Sequence, residues 1–150
     1  MPTRFETGLA GWFQAFFTSH PVRWLALLCL CSPYLISAIM KIDDFGSGID
    51  EMTKYGLTHA APYAAMITVI QLGCSLMILT GFLRWIGALM LAAFTMAATC
   101  IADPFWNALP AERPVKAELF LEHLGLTGAL VLVAWYTLHR WRSRGKDDWT

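Results

Sequence analysis

An all-α, integral membrane four-helix bundle with both termini cytoplasmic is the fold these 150 residues predict, and three observations predict it. The chain is 57% hydrophobic and 15% charged, against about 25% charged in soluble domains. Its apolar residues gather into four runs, Val22–Met40, Pro62–Thr80, Trp85–Ala102 and Leu119–Leu138. Each is about 18 to 20 residues, the length a helix needs to cross a hydrocarbon core ~30 Å thick. These runs also lack the polar faces at 3.6-residue spacing that a water-soluble bundle shows.

The elements follow in order. In TRFETGLAGWFQAFFTSHP, Phe5, Leu9, Trp12, Phe13, Phe16 and Phe17 form one apolar face. Residues 1–21 are therefore expected to be an interfacial amphipathic helix in the headgroup layer. Ser19-His20-Pro21 turns the chain into the first span, which reads as a retained span rather than a cleaved leader. That span ends in SPYLISAIMK, where Tyr34, Ser37 and Lys41 make an inward polar edge. In the connection KIDDFGSGIDEMTKYGLTHAAP, Asp43 or Asp44 caps a short helix near Ile49–Tyr55 that Gly56 ends. The second span carries Thr68, Gln71 and Ser75 on one face, with Gln71 near its midpoint. The turn Gly81–Arg84 is short enough to force the second and third spans to be adjacent and antiparallel. Thr95, Thr99 and Asp103 stripe the third span, and DPFWNALPAERP then leads irregularly to the fourth, with Phe105 and Trp106 at headgroup level.

The fourth span, LFLEHLGLTGALVLVAWY, is broken only by Glu122 and His123. Glu118, Glu122, Gly125 and Ala129 share a face, and its small residues predict that it looks into the bundle. His123, rotated about 100° from Glu122, reaches either the bundle or the external interface. Residues 22–141 thus form the spanning domain and 142–150 a basic cytoplasmic tail.

Orientation comes from charge. Arg4, Arg23, Arg84, Arg140, Arg142, Arg144 and Lys146 fall on one side, against Lys41, Lys54, Arg113 and Lys116 on the other. The side richer in Lys/Arg is cytoplasmic. Formal net charge is zero, so no basic field attracts nucleic acid. Cys29, Cys31, Cys74 and Cys100 all fall inside spans, where a thiol is usually a small packing residue.

Ionisable groups inside spans are functional candidates, with pairing between helices as the plain rival. Lys41 and Glu122 are expected at similar depth, so a Lys41–Glu122 contact is expected as interhelical glue or as part of a site. Lys41, Gln71, Glu122 and His123 together make a candidate cofactor-binding pocket in the external half of the bundle. No catalytic residue is assigned. Haem is disfavoured because His20, His59, His123 and His139 do not face each other within the bilayer. No metal site is expected from the Cys/His spacing, and no phosphate loop or nucleophile elbow occurs.

Three stretches resemble the DoxX family: MKIDDF at the end of the first span, ILTGFLRWIGAL across the short turn, and FLEHLGLTGALVLVAW in the fourth. The likeness runs over about residues 23–141. It implies a four-helix bacterial inner-membrane protein, and for some members a role as the membrane subunit of a thiosulfate:quinone oxidoreductase or as a partner in redox-protective complexes. Gln71 stands where family members commonly carry Glu, and the usual glycine before the lysine is replaced by Ser37 or Ala38. Two readings result. One is a quinone-linked membrane subunit without an intrinsic cofactor, in which Gln71 or His123 bonds a quinone oxygen and a protein partner handles electrons. The alternative is a non-enzymatic scaffold, assembly or accessory subunit of a larger complex. Both place the chain in the lipid bilayer and are compatible with a homo-oligomer; solute transport has little room in four short helices.

Overall fold

The computed structural model describes residues 11–147 apart from 12, 15 and 103, with side chains as far as Arg142. From His20 onward the described residues form, in order, the α-helices α1 His20–Asp43, α2 Phe45–Lys54, α3 Ala60–Thr80, α4 Arg84–Ala102 and α5 Arg113–Asp147, with a 3-10 turn at Phe105–Asn107 before α5. There is no strand among the described residues. Four of the helices, α1, α3, α4 and α5, are long and apolar enough to cross a membrane. This is a multi-pass helical membrane protein. It presents Ile36, Val69, Phe82 and Leu121 outward, where the solvent is lipid.

The expected boundaries of α1, α3 and α4 hold closely, whereas α2 begins at Phe45 rather than Ile49 and α5 runs from Arg113 to Asp147, well beyond the expected Leu119–Leu138. Local chemistry explains several of these ends. Pro21 sits in the first turn of α1, where its missing N–H costs nothing. Pro33 lies within α1 and leaves the Cys29 carbonyl without its usual donor. The Ser32 hydroxyl donates to that carbonyl at 2.8 Å, which repairs the ladder inside the span. Asp44 caps α2 by accepting from the Ser47 N–H at 3.1 Å. Gly81 ends α3 with φ +88°, a conformation a Cβ disfavours.

The turn into α4 is anchored further when Arg84 Nε donates to the Ile78 carbonyl at 2.7 Å, a cation on a helix C-terminus. At Gly87 an added Cβ would meet the Cys74 carbonyl oxygen at 2.9 Å. The α3 and α4 backbones therefore approach more closely there than any side chain would permit. Helix α1 packs on α3, α3 on α4 and α4 on α5, while α1 and α5 meet little. That seam is closed at mid-height, where Leu27, Cys31 and Tyr34 join Leu130 and Ala134 in the core. We call the end holding α2 and residues 104–112 the loop end, and the other the termini end.

Of the N-terminal amphipathic segment, residues 1–10, 12 and 15 lie outside the described residues. Phe13, Phe16 and Phe17 are helical and exposed, with Phe17 stacked on Phe13 and edge-on to Phe16. Asp103, expected to head the α4 stripe, also lies outside them. The four cysteines are free, with Cys31 and Cys74 buried in packing roles. Phe105, Trp106 and Phe120 form an aromatic cluster at the loop end.

Candidate functional site: a polar chain under the loop-end helix

Among the described residues Lys41 is the buried cation, at 9% exposure, and its partner is Glu51. The two meet at 2.9 Å. Glu51 reaches it because α2 lies across the end of α1, resting on Gly48 and Met52. A Cβ on Gly48 would already touch the Lys41 stem at 3.4 Å, and Met52 is buried. Lys41 Nζ also donates to Ser37 Oγ at 3.0 Å, one turn below. Ser37 Oγ in turn accepts from Gln71 Nε2 on α3 at 3.3 Å. Glu51, Lys41, Ser37 and Gln71 thus form one chain that steps inward from the loop end. In this arrangement the Gln71 amide has its nitrogen toward Ser37 and its oxygen turned away.

That oxygen has no partner. Gln71 Oε1, His123 Nδ1 and Thr127 Oγ1 are buried side-chain polar atoms without a hydrogen bond, and Ser75 Oγ has only the Cys31 thiol beside it. Gln71 and Ser75 lie one turn apart on α3, His123 and Thr127 one turn apart on α5. In a membrane interior such atoms cost free energy unless a partner arrives.

Two sequence expectations need correction. The Lys41–Glu122 contact does not form, because Glu122 is exposed. The α5 face that turns inward carries His123, Thr127, Leu130 and Ala134 instead of Glu118, Glu122, Gly125 and Ala129. The physical reason is which helix supplies the small residues. Ala88 and Ala92 on α4 are buried, so the neighbouring α5 fills the contact with larger side chains. Of the four candidate residues, Lys41 and Gln71 are brought into one hydrogen-bonded chain. His123 points a buried nitrogen inward, and Glu122 is left outside.

The threonine stripes behave differently from the polar edges expected of them. Thr68, Thr95 and Thr99 each donate to the carbonyl four residues back, at 2.8, 2.7 and 2.7 Å, and so satisfy themselves. Thr95 also shares a short hydrogen bond with the Tyr34 hydroxyl, which ties α1 to α4 at mid-height. Sequence reasoning missed Glu51, Ser37 as the junction and Thr127. Gly48, Glu51, Met52 and Tyr55 recur at steps of three, one and three, and that signal marks the face α2 lays on the bundle.

Among known proteins, a family model described as DoxX matches residues 22–104, more than half of the chain. The matched stretch carries Ser37, Lys41, Glu51 and Gln71 and ends before α5. No curated protein and no solved structure matches the chain significantly.

Proposed function

We propose, from the premise that the chain belongs to the DoxX family, that it is a quinone-linked membrane subunit of a bacterial redox complex. It lies in the inner membrane with its termini cytoplasmic. The loop-end interior receives the polar head of a lipophilic quinone. The observation that carries this reading is the set of buried polar atoms without partners, Gln71 Oε1, His123 Nδ1 and Thr127 Oγ1. Their chemistry suits both redox forms. A quinone carbonyl accepts from the Thr127 hydroxyl or from a protonated His123 nitrogen, and a quinol hydroxyl donates to Gln71 Oε1. Lys41 and Ser37 are positioning residues, because their bonds turn the Gln71 oxygen away from α1. A partner protein supplies or accepts the two electrons that interconvert quinone and quinol, with two protons exchanged at the loop end.

The test is gentle extraction of the full chain and chromatography of its lipid extract for quinone. The expected result is co-purified quinone, lost on Gln71→Leu and on His123→Leu and kept on Glu122→Gln. Extracts without quinone, or variants that retain it unchanged while folded, overturn the reading.

One observation favours the accessory-subunit alternative. Only 11% of the α5 span is buried in the bundle, against 28–33% of the other spans. Its outer face offers Glu118, Glu122, Gly125 and Ala129, carboxylates and small residues that pack poorly against acyl chains and well against another helix. On this reading Glu122→Leu detaches the chain from a larger co-purifying assembly and leaves its own fold intact.

A further inference from the structure

At the termini end, opposite the polar chain, the α1–α5 seam opens into a cavity of about 780 Å³. Three arginines line it, from three different elements: Arg23 of α1, Arg84 at the start of α4 and Arg140 of α5. Below them the walls are apolar, with Leu27, Leu132 and Val133. The volume is that of a site for a sizeable organic ligand, and its two halves differ sharply in chemistry.

The charges are arranged at a cost. Arg23 is close enough to Arg84 for the two guanidinium groups to repel. The Lys41–Glu51 ion pair lies at the other end of the bundle, and among the described residues no carboxylate lines the cavity. Arg84 spends Nε on the Ile78 carbonyl, and that bond leaves its terminal nitrogens beside Gly81. Like charges held together at the edge of a low-dielectric slab call for an anion. Bidentate guanidinium groups suit the oxygens of a phosphate.

We propose that this cavity binds one anionic phospholipid, its phosphate held between Arg23 and Arg84 and an acyl chain laid in the α1–α5 seam along Leu27, Leu132 and Val133. The cavity sits at the end of the spans, where headgroups lie. Its apolar floor continues into the seam, so charge and hydrophobic contact are met by one amphiphile. A bound lipid also fills the part of the seam that α1 and α5 leave unpacked. The site is independent of the quinone reading, which concerns the loop end.

The experiment uses the full chain in mild detergent, titrated with dioleoyl phosphatidylglycerol, dioleoyl phosphatidylcholine or inorganic phosphate. Retained lipid is counted by native mass spectrometry and Tm is followed in parallel. Expected is one retained phosphatidylglycerol per chain with a raised Tm, and little effect of phosphatidylcholine or phosphate. Arg23→Gln should weaken retention about tenfold, the size of one lost charge-assisted contact, and Arg23→Lys should weaken it less. Leu132→Trp, which keeps every arginine and fills the floor, should also lower retention and guards against a folding defect in Arg23→Gln. Lys54→Gln removes the same charge at the loop end and should change nothing. Equal losses in Lys54→Gln and Arg23→Gln would show unspecific attraction and overturn the proposal. So would inorganic phosphate reproducing the whole Tm shift, or undiminished retention in Leu132→Trp.

Discussion

The α3–α4 pair and the α1–α5 pair solve the same packing problem in opposite ways. Between α3 and α4 the backbones themselves approach, through Gly87 against the Cys74 carbonyl, and Arg84 stitches the turn to Ile78. Between α1 and α5 only a mid-height patch closes, at Leu27, Cys31, Tyr34, Leu130 and Ala134. Toward the loop end α5 turns unpartnered polar atoms inward, and toward the termini end three arginines line an open cavity. In lipid there is no hydrophobic gain from bringing helices together, so close contact must come from shape and hydrogen bonds. Where a helix pair lacks the small residues for close approach, room is left for other molecules. The open seam is therefore where ligands are expected and the closed pair is what holds the protein together.

The sharpest way to break this contrast is to enlarge one residue on each side. Gly87→Ala places a Cβ 2.9 Å from a backbone oxygen and 3.0 Å from Met77 Cβ, and backbone has nowhere to move without shifting a helix. It should cost about 1–3 kcal/mol, and Gly87→Leu should leave little folded protein. Leu132→Trp adds more volume but faces the cavity, so its cost should stay within about 0.5 kcal/mol. Denaturation in mixed micelles, followed by circular dichroism, checks both. Equal destabilisation by Gly87→Ala and Leu132→Trp would mean that the seam is packed as tightly as α3–α4.

A middle-sized effect concerns how α2 is held over the loop end. Glu51 is 43% exposed, so its attraction for Lys41 is partly screened. The Lys41–Glu51 coupling should be about 1 kcal/mol rather than that of a fully buried pair. A double-mutant cycle with Lys41→Met and Glu51→Gln measures it. The parallel cycle with Glu122→Gln should give coupling near zero, because Glu122 is turned away from the bundle. The two cycles also test whether the α2 lid, like the seam, is held by few contacts: Glu51→Gln should speed proteolysis near Thr53–Leu57 before it lowers Tm.

Much of this architecture was legible from hydropathy. Four spans, the short turn at Gly81–Arg84, the Asp44 cap and the stop at Gly56 each follow from local chemistry that tertiary packing does not override. The interior of the site was less legible, for a specific reason. A helix face is chosen by its neighbour as well as by its own residues. On α5 two stripes compete, Glu122–Gly125–Ala129 and His123–Leu126–Leu130, and the small residues of α4 decide between them. Likewise Lys41 has a carboxylate within reach on α2 and another expected on α5, and only the lie of α2 across Gly48 selects Glu51. The threonines of α3 and α4 are ambiguous in sequence because a hydroxyl can bond its own helix or another. Thr68 and Thr99 take the local option, and Thr95 takes both, bonding its own helix and Tyr34 of α1.

The smallest effect lies in the wall of the open seam. Pro33 deprives the Cys29 carbonyl of its donor in the middle of a span, and the Ser32 hydroxyl replaces that donor at 2.8 Å. Cys29 is exposed, so the carbonyl lies toward lipid, where no water competes for it. Ser32→Ala should therefore cost about 0.6 kcal/mol, the usual worth of a side-chain hydrogen bond in a membrane helix. Adding Pro33→Ala to Ser32→Ala returns a backbone N–H to the ladder and should recover that loss. Recovery ties the effect to the orphaned carbonyl, whereas a double variant no more stable than Ser32→Ala would show that Pro33 is needed to shape α1 against Leu130 and Ala134. The comparison of seam and closed pair would then shift: α1 would owe its place beside α5 to Pro33.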